Sequence, residues 1–173
     1  MSTAAGYSAI EHLGNGQIVE IRALGPDDRT EMLAAVERTS AQSLRRRFFV
    51  TKRGFSEQEI DFFINIDFDR HVALVAQIDE GGRPAIAGGA RYVSVGSGQA
   101  EIAFIVVDAY QRRGIGTILM RHLAVLAREA EVKELIAEVL PDNTAMLKLL
   151  ENFGFLPGSR RDPSVLHLSL RLA

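Results

Sequence analysis

The order of apolar and polar positions along the chain predicts strands and helices in mixed succession. Strands are predicted where apolar residues alternate or run together briefly, and helices where they recur every three or four residues. The predicted strands cover residues 17–24, 71–78, 84–95, 99–107, 134–140 and 165–170. The predicted helices begin near residues 25, 40 and 56 and also cover 114–130 and 143–153. This succession predicts a mixed α/β fold.

The strand predicted at 99–107 contains one charged residue, Glu101. The rest of the strand is apolar without alternation, which predicts that both of its faces are covered. An acid among apolar residues has its pKa raised by desolvation, towards the range where a general base works best. A carboxylate that faces a sheet edge or forms a salt bridge is the alternative interpretation. Glu101 is the candidate catalytic base.

The composition limits the partners and the chemistry that are expected. The formal charge of −2 and the pI near 6.1 provide no basic surplus for nucleic acid or a membrane surface, so neither partner is expected. Cysteine is absent, which excludes disulfides, thiolate metal sites and a cysteine nucleophile. Nothing around the four histidines has metal-ligand spacing, so no metal is expected.

The chain shows no internal repeat or low-complexity linker, so residues 1–173 are expected to form a single domain. The Gly-rich residues 1–16 are expected to be flexible. They lack the basic start and the apolar stretch of a secretion signal, and no apolar run approaches the ~20 residues that span a bilayer. A cytoplasmic protein is expected.

The turn between the strand at 99–107 and the helix at 114–130 has the sequence Gln111-Arg112-Arg113-Gly114-Ile115-Gly116-Thr117. The first N–H groups of a helix have no intrahelical partner, and glycines let an anion approach the backbone closely. The turn is therefore interpreted first as a binding site for a pyrophosphate, to which the two arginines would add positive charge. A glycine-containing turn without any ligand is the other interpretation, because short glycine motifs match often.

Residues 100–120, AEIAFIVVDAYQRRGIGTILM, resemble the central motif of GNAT acetyltransferases. A second block, Asn143-Thr144-Ala145-Met146 followed by Asn152-Phe153-Gly154-Phe155, is similar to the next motif of that family. The resemblance implies a mostly antiparallel twisted sheet, splayed at its middle and flanked by helices. It also implies acetyl-CoA as cosubstrate, with the pyrophosphate at residues 111–117. The pantetheine arm would pair with the backbone of Ile105, Val106 and Val107.

The resemblance also implies roles for individual residues around the thioester. Asn143 either caps its helix or hydrogen-bonds the pantetheine. The N–H of Val106 or Val107 would stabilise the oxyanion. Many GNAT enzymes have a tyrosine at the position of Leu150 that protonates the leaving thiolate, so a dedicated acid is not expected here.

Residues 43–49, 57–62 and 66–76 resemble the catalytic domain of bacterial Pat-type protein lysine acetyltransferases, in which Glu101 occupies the position of the catalytic glutamate. The resemblance implies acetyl transfer to a protein lysine. A small amine as acceptor, or a non-catalytic acyl-CoA sensor, is the alternative. A homodimer is possible, and no regulatory ligand is inferred. The run at 45–47 is interpreted first as a solvated helix face and second as a substrate-docking surface.

Overall fold

Eight strands form one sheet in the computed structural model, which describes residues 4–48, 55–158 and 164–172. In chain order they are β1 (Ser8–His12), β2 (Ile18–Ala23), β3 (His71–Glu80), β4 (Arg83–Gly96), β5 (Gln99–Val106), β6 (Glu134–Val139), β7 (Leu156–Pro157) and β8 (Leu166–Arg171). Their order in space is β1-β2-β3-β4-β5-β6-β8-β7. Every neighbouring pair is antiparallel except β5 and β6.

Within the described residues, five α-helices flank the sheet: α1 (Arg29–Glu37), α2 (Ala41–Phe48), α3 (Glu57–Ile64), α4 (Ile115–Glu129) and α5 (Thr144–Asn152). The start of α3 has the predicted capping box, in which Ser56 and Glu59 each accept a backbone N–H of the other at 3.1 Å. Helix α4 buries one side, including Leu119 and Leu123, in the core. The predicted mixed α/β fold is confirmed. Phe49, the last residue of the segment 43–49 named above, lies outside the described residues.

The sheet opens between β5 and β6. Only three residues of each strand pair with each other, Gln99–Glu101 of β5 with Glu134–Ile136 of β6. Beyond that point β5 stays with β4 and β6 stays with β8. The sheet therefore has the predicted splay at its middle, and the two diverging strands form the walls of a cleft.

Residues 8–12 correct the expectation of a flexible N-terminal segment. They form β1, which pairs with β2 along its whole length, Ser8 lying opposite Arg22 and His12 opposite Ile18. The turn between the strands contains Asn15-Gly16, and Gly16 has a φ of 85°. Asn-Gly between two strands is a strong hairpin signal that the sequence interpretation overlooked. Residues 1–3 lie outside the described part of the chain.

The burial of β5 corrects a second expectation, because only one of its faces is covered. Ala100, Ile102 and Phe104 are buried in the core. Glu101, on the opposite face, is exposed, and Ala103 and Ile105 are half-buried. The continuous apolar run arises because the second face lines the cleft and needs apolar side chains there. Among the described residues, no helix is long and apolar enough to cross a membrane.

A partly buried ion pair connects β2 to the turn before α1. Arg22 donates from both terminal nitrogens to the two carboxylate oxygens of Asp28 at 2.8 Å, and the Gly25 N–H donates to the same carboxylate at 2.7 Å. Burial raises the pKa of Asp28, but the hydrogen bonds from Arg22 and Gly25 outweigh burial and hold that pKa below its usual range.

We expect Asp28→Ala to lower the free energy of unfolding by about 2 kcal/mol, because it leaves a half-buried guanidinium and a backbone N–H without their acceptor. Since the folded-state pKa of Asp28 is lowered, the contribution is present above the unfolded-state pKa and disappears as pH falls through the folded-state value. Urea unfolding of both proteins at pH 7 and at acid pH measures this. The exposed pair Arg29–Glu57 provides the control, and Glu57→Ala should cost less than about 1 kcal/mol. An equal loss in both variants would contradict the prediction.

Candidate active site

A cleft of about 750 Å³ lies where β5 and β6 separate. Its walls are the free half of β5, the end of β6, the first turn of α4, one side of α5 and part of α2. Most of the predicted site residues line it: Glu101, Ile105, Val106, Gln111, Arg112, Gly114, Ile115, Gly116, Thr117 and Asn143. The fold thus brings together residues that are more than 40 positions apart in the sequence.

The first turn of α4 forms one end of the cleft. Gly114 precedes the helix with a φ of 88°, a left-handed conformation that residues with a Cβ rarely adopt. The first intrahelical hydrogen bond runs from Ile118 N–H to the Gly114 carbonyl, so the N–H groups of Ile115, Gly116 and Thr117 have no partner within the helix. These donors and the helix dipole fit a pyrophosphate.

Gly116 has a different reason to be glycine from the one predicted. A Cβ at this position would lie 3.0 Å from Cδ1 of Leu149 on α5. The missing side chain therefore allows α4 and α5 to pack closely at the edge of the cleft. Only Gly114, which has open space around it and a positive φ, matches the predicted role in the turn.

Two residues that the sequence placed in the site do not line the cleft. Val107 is 2% exposed, and its N–H donates to the Ala87 carbonyl at 2.8 Å. Arg113 lies over the ring of Tyr110, with its guanidinium carbon 5.4 Å from the ring centre. The pairing of Val107 with β4 and the stacking of Arg113 outside the cleft explain these differences.

The backbone of Val106 points the other way. In an antiparallel ladder, successive residues direct their N–H and C=O groups to opposite sides. Since Val107 bonds β4, Val106 directs its N–H towards the gap beside β6. Its carbonyl accepts a hydrogen bond from Nε2 of Gln111 at 3.0 Å. Of the two predicted oxyanion donors, only the Val106 N–H thus faces the cleft. The Gln111 side chain hydrogen-bonds the end of β5 and so fixes the position of that strand end.

Glu101 lies at the last paired position of β5, opposite Ile136 of β6, where the strands begin to separate. Burial raises the pKa of its carboxyl above the usual range. The negative charge of Glu138 raises this pKa further, whereas the positive charges of Arg47 and His167 lower it in part. The carboxylate thus stands in the cleft with an altered acidity, as a base for an amine would require.

Asn143 caps α5, because its Oδ1 accepts the Met146 N–H at 3.3 Å. This capping leaves the amide NH₂ group for a ligand, so the two predicted roles are compatible. Leu150 is fully buried and carries no group that could protonate a thiolate.

Helix α2 contributes residues that the sequence interpretation did not place in the site. Ser43 and Arg46 line the cleft. Arg45 and Arg46 both reach across to Asp142, at 3.2 Å and 3.9 Å. The solvated helix face expected for residues 45–47 is wrong for Arg46 and Arg47, which are half-buried and line the cleft. No local spacing could reveal this, because the contact joins segments almost 100 residues apart. Within the described ranges, no three His, Asp or Glu side chains are grouped to hold a metal.

Comparisons with known proteins agree with this geometry. Residues 38–155 match the family described as Acetyltransferase (GNAT) family. An acetyltransferase of Pseudomonas aeruginosa is 32% identical over 155 residues, which cover 89% of this chain and 82% of that protein. The acetyltransferase Pat of Mycolicibacterium smegmatis is 33% identical over 141 residues, which cover 80% of this chain and 41% of that protein.

A solved structure, the GNAT domain of S. lividans PAT, superposes with a TM-score of 0.88 at 31% sequence identity. The superposition covers 95% of this chain and 96% of that domain. The chain thus corresponds to an entire domain of one relative and to less than half of the Mycolicibacterium protein.

Proposed function

The chain belongs to the GNAT acetyltransferase family, and on that premise we propose that it transfers an acetyl group from acetyl-CoA to the side-chain amine of a protein lysine. The position of Glu101 at the separation of β5 and β6 carries the proposal. It places one carboxylate of raised pKa within the cleft that also contains the free N–H groups of α4.

A base is needed because a lysine amine has a pKa of about 10.4, so only ~0.04% is unprotonated at pH 7. This corresponds to a penalty of roughly 4.6 kcal/mol before attack. Glu101 accepts the proton, directly or through one water. The nitrogen then forms a bond to the thioester carbonyl carbon, and the C–S bond breaks with its electron pair leaving on sulfur.

The remaining contacts follow from the walls of the cleft. The N–H of Val106 faces the gap and would stabilise the oxyanion that forms during attack. The free N–H groups of Ile115, Gly116 and Thr117 would bind the pyrophosphate, and the Asn143 amide would bind the pantetheine. With Leu150 in place of a tyrosine, the CoA thiolate leaves without a dedicated acid. Its reference thiol pKa of about 8.5 makes that feasible.

A protein lysine is favoured as the acceptor by the similarity to two proteins named Pat over most of this chain. The direct test measures release of CoA thiol from acetyl-CoA with cell-extract proteins and, separately, with small amines as acceptors. Mass spectrometry then locates acetyl-lysine. Acetylated protein supports the proposal, release with small amines alone assigns a small-molecule acceptor, and tight CoA binding without release indicates a sensor.

The charges around Glu101 predict how activity depends on pH. Since the base must be deprotonated, kcat/KM should fall as pH decreases through the raised pKa of Glu101. Glu138→Gln removes a charge that raises this pKa, so the acid limb of the profile should move to lower pH. Arg47→Gln removes a charge that lowers it, so the limb should move to higher pH. Shifts in the same direction for both variants would exclude Glu101 as the titrating base.

A further inference from the structure

A second, smaller cavity of about 80 Å³ adjoins the cleft on the Glu101 side of the sheet. Apolar side chains of α1, α2, α3 and the central strands form most of its wall. Three residues, Arg47, Ala103 and Ile105, line both the cleft and this cavity. The small cavity therefore continues from the wall of β5 along which the thioester would lie. Among the described residues, its only charged lining side chains are Arg47 and Arg91.

Both guanidinium groups lie against aromatic rings. The guanidinium carbon of Arg47 is 4.5 Å from the ring centre of Phe48. That of Arg91 is 5.0 Å from the ring centre of Phe63, and its Nη1 donates to the Phe63 carbonyl at 3.3 Å. Nη1 of Arg91 also lies 3.0 Å from Nε2 of His71. Cation–π contacts position these groups without neutralising them.

Neither guanidinium forms an ion pair with a carboxylate of the described ranges. Burial lowers the pKa of Arg47 to about 10 and that of Arg91 to about 9. Burial and the charge of Arg91 lower the pKa of His71 to about 4, so its ring is neutral at pH 7 and accepts from Arg91. Glu101 is the one acid whose charge acts on Arg47, across the cleft and beyond ion-pair distance. The cavity thus holds two cations without a directly contacting carboxylate among the described residues.

The lining of the cavity suits a carboxylate on a short chain. Arginine forms paired hydrogen bonds to a planar carboxylate, and buried positive charge is stabilised by such a partner. The apolar wall suits one or two methylene groups. The small volume has room for a few non-hydrogen atoms, far too little for a segment of peptide. The phosphates of CoA would lie at the other end of the cleft, beside α4. These constraints favour the acyl group of the donor as the source of the carboxylate.

We propose that the Arg47–Arg91 cavity is an acyl-chain subsite that binds the terminal carboxylate of a short dicarboxylic acyl-CoA such as succinyl-CoA. This inference rests on the proposed acyl transfer and extends it to a second class of donor. The reaction is the same: the amine nitrogen bonds the carbonyl carbon, the C–S bond breaks, and the amine proton passes to Glu101. The terminal carboxylate is held and remains chemically unchanged.

The test compares acetyl-CoA, butyryl-CoA and succinyl-CoA as donors for one acceptor protein. Butyryl-CoA has an acyl chain of similar length without the charge. We expect the intact protein to use succinyl-CoA at least ~10-fold more efficiently than butyryl-CoA, since charge-assisted hydrogen bonds discriminate by about this factor or more. Arg91→Gln should lower the ratio of succinyl to acetyl transfer by ~10-fold or more. Arg128→Gln, which removes an exposed charge on α4, should leave the ratio unchanged.

Competition of the three thioesters for CoA binding, with thermal unfolding of each variant, separates a lost contact from a lost fold. An Arg91→Gln protein that binds CoA normally but still prefers succinyl-CoA would overturn the proposal, as would a preference of the intact protein for butyryl-CoA. Absence of all acyl transfer would instead refute the proposed function.

A further arm uses acetyl-CoA with lysine peptides that do or do not carry an adjacent aspartate. If Arg91→Gln impairs only the acidic peptide, the carboxylate comes from the acceptor and the donor subsite is wrong.

Discussion

Glu101→Gln should lower the turnover number by ~100-fold or more while leaving the affinity for CoA nearly unchanged. Glutamine keeps the size of the side chain but cannot accept the amine proton, and loss of a positioned general base costs ~10²–10⁴-fold. The N–H groups proposed to bind the phosphates lie on α4, at a different part of the cleft, so the substitution should leave them unaffected. Thiol release measures turnover, and calorimetry measures CoA binding.

The same substitution on α4 provides a matched control. Glu129 is exposed near the end of that helix, and Glu129→Gln should retain full turnover. The loss in Glu101→Gln should also become smaller at high pH, where more of the acceptor amine is already unprotonated. Turnover equal to that of the wild type in Glu101→Gln would show that Glu101 is not the base. A loss of CoA affinity together with the loss of turnover would indicate a structural role for Glu101.

Gly114→Val should weaken CoA binding by ~100-fold or more. The residue before α4 has a φ of 88°, a conformation that costs about 1–2 kcal/mol for a residue with a Cβ and is worst for a branched one. Relaxation of this strain would turn the first N–H groups of the helix away from the cleft, and the new side chain would stand at its mouth. Isothermal titration with CoA measures the loss.

Gly82→Val separates backbone strain from loss of the ligand site. Gly82 has a φ of 85° in the turn between β3 and β4, and a Cβ added there would meet no atom within 4 Å, as at Gly114. Both variants should lose similar stability, but only Gly114→Val should lose CoA affinity. Equal affinities in the two variants would mean that the turn before α4 does not bind the pyrophosphate.

Local patterns in the sequence predicted most of the strands and helices because each has its own periodicity and its own punctuation. The capping box of Ser56 and Glu59 and the glycine turn of β3 and β4 are encoded within a few residues. The hairpin of β1 and β2 was encoded equally locally, by Asn15-Gly16, and was overlooked because the segment is rich in glycine. The short strand β7 has only two residues, too few to show a period.

The site was predicted only in part, because strand phase and tertiary contact do not appear in a linear motif. Residues 105–107 were all candidates for ligand pairing, yet alternation along β5 gives Val107 to β4 and Val106 to the cleft. The three arginines at 45–47 are equivalent in the sequence, but their side chains have different contacts in the fold. Arg45 and Arg46 reach Asp142, whereas Arg47 lies over Phe48. Packing of α2 against distant segments produces this difference.

Because β5 and β6 pair over so short a length, we expect the stability of the folded protein to depend on bound acyl-CoA. Each strand has only three residues in that parallel ladder, so the Val106 N–H, which faces the gap, depends on solvent when no ligand is bound. A ligand that binds only the folded protein stabilises it by RT ln(1 + [L]/Kd), about 2.7 kcal/mol at 100 times Kd. When acyl-CoA is depleted, the protein loses this contribution, and resistance to unfolding and proteolysis decreases with it. The gap that admits the substrate therefore also makes the stability of the folded protein dependent on the concentration of its ligand.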